Sequence, residues 1–203
     1  MKNIYLTYLL IILAFLLAAF VIDTDSSKDQ NVTDSGDPGY TLLKDFETFE
    51  IRKYPMLFVA KTKMSSSGYD KNSSEGFRKV ARFIFGGNHE NQKIAMTSPV
   101  LMDMKDSVEM SFIMPKGVTP ENAPSPLNGD IKLEHRPEQI VAVLRFGGWA
   151  SSSKLAAKEK ELLRLLNSHN IKYFGEITYL GYNPPYKLLS RRNEISIKIN
   201  YEK

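Results

Sequence analysis

The chain is 203 residues long, with 42% hydrophobic and 25% charged residues and no cysteine. That length suits one domain with at most an appendage, and the composition suits a globular protein able to bury a core. Wholesale disorder, disulfide scaffolds, thiolate metal sites and cysteine nucleophiles are excluded. The formal charge is +4 and is unevenly spread: residues 1–39 hold Lys2 and Lys28 against Asp23, Asp25, Asp29, Asp34 and Asp37, so the body from Tyr40 onward carries the positive surplus. A basic body favours anionic ligands or surfaces.

Residues 4–22 form an uncharged apolar run behind Met1-Lys2-Asn3. At about 1.5 Å per residue it spans roughly 28 Å, close to the hydrocarbon thickness of a bilayer. Lys2 ahead of the run and acids behind it place the N-terminus in the cytoplasm and the body on the extracytoplasmic side, periplasmic or extracellular. An uncleaved signal anchor is expected over a cleaved signal peptide, because the run is longer than a usual signal h-region and no tidy A-x-A closes it; Ala18-Ala19 is the small-residue pair that favours the alternative. Residues 23–39 are polar and read as a flexible linker. The folded domain is expected over residues 40–203.

Within it, residues 49–63 alternate and then run apolar around Pro55, giving two extended pieces or one bent strand. Ser73-Ser74-Glu75 caps an expected helix to about Phe85, where Gly86-Gly87 stops it. Phe77, Val80, Ala81 and Ile84 form its apolar stripe. Strands are expected over 94–102 and 108–114, followed by a Pro-, Asn- and Gly-rich surface loop over 115–130. The second half repeats the order: a strand region at 131–146, a helix at 153–168 carrying Leu155, Leu162, Leu163 and Leu166, and strands at 176–182 and 194–200. Pro137, Val141 and Ala142 fall 82 residues after Pro55, Val59 and Ala60. Two βαββ units in an α+β domain, with a curved or partly closed sheet and a ligand site where the halves meet, are expected.

The three histidines, His89, His135 and His169, lack the spacing of a metal site. His169 belongs at a helix C-terminus, where the dipole favours it, and His135 in a charged, solvent-facing strand. His89, in the loop after the first helix, is the one candidate metal ligand. No nucleophile elbow, phosphate loop or dinucleotide fingerprint is present, and the scattered bases match no nucleic-acid module. Two features exceed a plain core. Phe83 and Phe85 flank the stripe of the first helix, and with Lys79 and Arg82 beside Phe83 they read as an apolar shelf rimmed by cations, suited to a flat amphiphile with carboxylates. The loop Gly181-Tyr182-Asn183-Pro184-Pro185-Tyr186-Lys187, stiffened by its prolines, repeats that chemistry through Tyr182, Tyr186 and Lys187.

The runs Glu75-Gly76-Phe77-Arg78, Phe85-Gly86-Gly87-Asn88, Gln92-Lys93-Ile94-Ala95-Met96-Thr97-Ser98-Pro99-Val100 and Phe146-Gly147-Gly148-Trp149 resemble the SOUL haem-binding protein family. So do the Pro-Pro loop and Arg191-Arg192-Asn193-Glu194-Ile195, in order and over the body from about Tyr40. The resemblance implies a distorted β-barrel of two βαββ halves flanked by two long helices. It also implies non-covalent haem or free porphyrin in a shallow groove between the first helix and the Pro-Pro loop, with Lys187 placed to pair with a propionate. The fold is similar to gyrase-inhibitor-like effector-binding domains, which hold small amphiphilic or cationic molecules.

The expected protein is thus a non-enzymatic, monomeric, membrane-tethered haem or tetrapyrrole carrier or buffer that binds no nucleic acid. The alternative is an effector-binding-like domain that holds or acts on another small amphiphile, with Glu176 or Glu194 as the base in a deep, closed pocket.

Overall fold

The computed structural model describes residues 39–64, 69–104, 108–183, 187 and 190–201, all within the unit Ser35–Lys203 that its internal contacts set apart from Met1–Asp34. In chain order the elements are β1 (Thr41–Asp45), β2 (Glu50–Tyr54), β3 (Leu57–Lys63), α1 (Tyr69–Ile84), β4 (Val100–Asp103), β5 (Glu109–Ile113), β6 (Lys132–Arg136), β7 (Gln139–Phe146), α2 (Ser152–Ser168), β8 (Tyr173–Gly181) and β9 (Asn193–Ile199). The strands form one sheet in the order β1-β2-β7-β9-β8-β4-β5-β3-β6, antiparallel throughout.

The repeat is written into the strand register. Arg52 on β2 faces Val141 on β7, and Val59 on β3 faces Glu134 on β6. Moving every residue of one ladder to its counterpart 82 positions away in the chain reproduces the other ladder. The helices obey the same shift, because Asp70 and Ser152 are 82 residues apart and bond reciprocally. The Ser152 N–H donates to the Asp70 carboxylate at 3.1 Å and the Asp70 N–H to Ser152 Oγ at 3.3 Å. Each side chain thereby satisfies an orphan amide in the first turn of the other helix. β4 and β8, the corresponding strands of the two halves, pair with each other at the centre of the sheet.

Three elements differ from expectation. β1 is an exposed edge strand whose Thr-Leu-Leu-Lys-Asp sequence carries no period-2 signal. α1 begins at Tyr69 rather than near Ser73, since the Tyr69 ring packs edge-to-face on Tyr179 and the Asp70–Ser152 exchange caps the end, so tertiary contacts override the local serine signal. The expected strand at 94–102 shortens to β4, and the residues before it lead through a cis Ser98–Pro99 bond.

The helices cover one face of the sheet. Val80, Phe83 and Ile84 of α1, and Leu155, Leu162 and Leu166 of α2, bury against Met110, Phe112, Leu144, Phe146, Ile195 and Ile197. Burial of side chains this size contributes about 1.5–3 kcal/mol apiece. The other face curls inward: Arg136 on β6 reaches Asp103 on β4 at 2.7 Å and Thr178 on β8 at 3.1 Å, across the intervening β3 and β5. The result corrects the expected barrel to an open half-barrel, since the edge strands β1 and β6 have no ladder joining them among the described residues.

The apolar run at 4–22 lies outside the described residues. Among those described, no helix is long and apolar enough to cross a membrane. The expected membrane-anchored, extracytoplasmic placement of the body is corrected accordingly and is withdrawn.

Candidate functional site

The C-terminal end of α1 carries several of the sequence candidates. Gly86 ends the helix at φ +104, a conformation that needs glycine, and a Cβ on Gly87 would lie 2.6 Å from the Arg82 carbonyl oxygen. Asn88, buried, then ties the turn together: its amide donates to the Phe83 and Gln92 carbonyls and accepts from the Gln92 N–H. The Phe-Gly-Gly-Asn run is therefore a helix stop. Phe83 is only 2% exposed and packs in the core beneath α1, which corrects its reading as a surface shelf. Three residues past Val80 it falls back onto the buried stripe of the helix, whereas Phe85, 58% exposed, turns outward. Lys79 pairs with Glu75 one turn back at 2.8 Å, Arg82 is exposed, and His89 is an exposed turn residue whose N–H donates to the Ser125 carbonyl. Among the described residues, no group of three or more His, Asp or Glu side chains could hold a metal ion.

The opposite end of α1 gathers more. Gly148, at φ +77, turns the chain so that Trp149, the single tryptophan, stands 53% exposed. The Arg191 guanidinium lies over its ring, 4.2 Å from the centroid, a cation–π stack. Arg191 also donates to the Lys187 and Asn183 carbonyls at 2.7 and 3.2 Å, so the same side chain that stacks on Trp149 ties these two residues to it. Lys187 is exposed, and Lys154 reaches the Gly147 carbonyl at 2.7 Å. Buried Asn193 joins the layers: it accepts from the Tyr179 hydroxyl at 2.7 Å and donates to the Gly148 carbonyl at 2.7 Å. Burial pushes the Tyr179 hydroxyl strongly up, and it pushes Tyr69 up as well, while Tyr179 and the nearby Arg191 charge pull Tyr69 the other way. Both phenols stay neutral at ordinary pH.

This end therefore presents a flat, half-exposed indole under Arg191, with Lys187 held to Arg191 through its carbonyl and Lys154 on the Gly147 carbonyl, beside the N-termini of both helices, whose partial positive charge favours anions. Members of three of the runs singled out in the sequence meet here: Gly148 and Trp149, Asn183 and Lys187, and Arg191 and Asn193. Lys187 belongs to this group; Tyr186 lies outside the described residues. Arg82 and His89 do not belong to it, because about 20 Å of helix separates Tyr69 from Arg82. Trp149 and Arg191 were visible only as members of runs that carry the family resemblance; neither sits beside an apolar helical stripe, which is what drew notice to Lys79, Arg82 and Phe83.

Tyr182 faces the inner side of the half-barrel. Its hydroxyl donates to Glu194 at 3.0 Å, and Arg192 lies over its ring at 3.8 Å. Glu194 is 0% exposed and is also held by Arg52 and Arg192, each at 2.8 Å. A carboxylate so committed is unavailable as a base, and Glu176 sits exposed on β8, so neither acid has the closed pocket that the enzymatic alternative requires. A cleft of about 280 Å³ does open on the inner face, but its charges are largely paired: Lys61 with Glu109 and Glu134, Arg136 with Asp103.

The family model described as SOUL heme-binding protein matches residues 36–198. Heme-binding protein 2 of Homo sapiens is 32% identical over 158 residues, covering 73% of this chain and 76% of the relative. Heme-binding protein 1 of Xenopus laevis is 27% identical over 161 residues, covering 75% and 84%. Among solved structures, the EcmrR C-terminal domain superposes with a TM-score of 0.60 at 10% identity, covering 80% of this chain and 99% of that one. A hydrolase from Listeria innocua gives 0.52 at 7% identity, covering 75% and 92%. At such identities these two share the fold alone.

Proposed function

The chain belongs to the SOUL heme-binding protein family, and from that premise we propose that it carries or buffers haem or free porphyrin, held non-covalently on the Trp149 shelf, without catalysing a reaction on it. Family membership supports non-covalent haem as the ligand. The observation that carries the placement is the exposed indole stacked under Arg191 at 4.2 Å, a flat apolar contact with fixed positive charge beside it. A tetrapyrrole has the matching parts, a planar macrocycle and carboxylates at one edge. The residues present fit those parts: Trp149 offers the face, while Lys187 and Arg191 offer charge-assisted hydrogen bonds to carboxylates. Bound haem supplies the iron chemistry; the chain supplies contact, charge and orientation. Burial of a few hundred Å² contributes several kcal/mol at about 25 cal/mol per Å², offset in part by the cost of association.

Lys79, Arg82 and His89 lie toward the far end of α1 and take no part in this reading. Haem titration followed by Soret absorbance tests it. Arg191→Ala is expected to weaken haem binding about tenfold or more, the effect of losing one hydrogen-bonded charge, and Lys187→Ala combined with it to weaken binding further. His89→Ala is expected to leave both affinity and Soret position unchanged. Unchanged affinity in the Arg191/Lys187 double variant, with a loss on Arg82→Ala or His89→Ala, would move the ligand to the other end of α1.

A further inference from the structure

Independently of the haem reading, the inner face of the half-barrel has the chemistry of a cation receptor. The Arg52 guanidinium is 2% exposed and makes four side-chain hydrogen bonds. Nη1 donates to Glu194 at 2.8 Å and to the Tyr54 hydroxyl at 3.2 Å, Nη2 to Glu194 at 3.4 Å, and Nε to Glu50. Its flat face lies on the Tyr40 ring, 4.2 Å from the centroid. Two carboxylates in the plane of a guanidinium, with an aromatic ring on its face, are the elements by which proteins recognise such ions.

A second cation–acid pairing lies on the same face: Lys61 on β3 enters between Glu134 at 2.6 Å and Glu109 at 3.3 Å, with Lys132 also on Glu134 at 2.9 Å. In both places a cation from the chain itself sits between two acids. Next to Arg52, Arg192 completes the balance by lying over Tyr182 and bonding Glu194. Without Arg52, the buried Glu194 retains a single cationic partner and Glu50 loses its guanidinium.

We propose that the inner face of the half-barrel is a receptor for guanidinium-class cations whose resident occupant is Arg52, so that removing this side chain opens a site for an exogenous guanidinium or amidinium ion. The intact protein, its site filled, takes up no such ion. The probe is ethylguanidinium, which restores the atoms missing when Arg52 is cut back to Ala. In the full-length Arg52→Ala variant, thermal unfolding is expected to shift upward by several degrees, saturably, with millimolar ethylguanidinium. Ethylammonium and sodium chloride at equal concentration should leave the midpoint unmoved, as should ethylguanidinium added to the wild type. Adding Glu194→Ala to the variant should abolish the shift. Should Arg52→Ala not fold unaided, the yield of folded protein on dilution from urea serves as the readout, with ethylguanidinium compared against ethylammonium. No advantage of ethylguanidinium over ethylammonium in either assay, or an equal shift in the wild type, overturns the proposal.

Discussion

Glu194→Leu is expected to lower folding stability by about 3–5 kcal/mol, the usual loss when one partner of a buried ion pair is removed, read as the shift in urea unfolding. The carboxylate is 0% exposed and faces two guanidiniums, of which Arg52 is as deeply buried as itself. Its loss leaves Arg52 with Glu50 as its remaining carboxylate partner, one-third exposed and better solvated. Arg192 can turn toward solvent, being 28% exposed at its side chain; Arg52 cannot. Removing both ends of the pair, as Glu194→Leu with Arg52→Met, is expected to restore most of the lost stability, because the desolvation penalty disappears with the charges. A loss below about 1 kcal/mol for the single variant, the range of exposed pairs, would show that the inner face is wet and that the network contributes little.

Phe83→Ala is the second large effect, a loss of about 3–5 kcal/mol by the general cost of deleting a buried aromatic. The ring lies in the core beneath α1, together with Val80, Ile84 and Phe112, so little around it can collapse into the space it leaves. Phe85→Ala, two residues on and exposed, should remain within about 0.5 kcal/mol of wild type. Under conditions where Phe83→Ala stays folded, haem affinity should be unchanged. A variant that keeps full stability but loses haem would reinstate Phe83 as a contact residue and displace Trp149.

That pair of neighbours shows what could be read from the chain alone. The α+β class, the duplication and both helices were legible, because the period-3.6 stripes are long and the Pro-Val-Ala coincidence at a spacing of 82 residues reflects a register that the ladders actually keep. Azimuth within α1 was not: Phe83 beside Arg82 reads as surface when taken by sequence adjacency, yet it falls one turn from Val80 on the buried side. β1 escaped notice because an exposed edge strand needs no alternation.

The proposed ligand end was half legible. Lys187 stands out through its loop, and Arg191-Arg192-Asn193 and Phe-Gly-Gly-Trp stand out as runs that carry the family resemblance. Their meeting at Trp149 depends on contacts made by Asn193 and Arg191 across more than forty residues of sequence, between Gly148 and Asn193, and no local pattern encodes those. Tyr182, taken for a groove residue, turns inward because its hydroxyl completes the environment of Glu194.

Trp149 is the chain's single tryptophan and the flat surface on which the account seats the macrocycle. Haem titrated into the full-length protein and into its Trp149→Ala variant, followed by Soret absorbance, should give a saturable change at a stoichiometry of one in the wild type and a loss of affinity of about tenfold in the variant. Unchanged affinity and Soret position in Trp149→Ala would place the ligand elsewhere on the molecule. No saturable change in either protein would contradict haem binding itself.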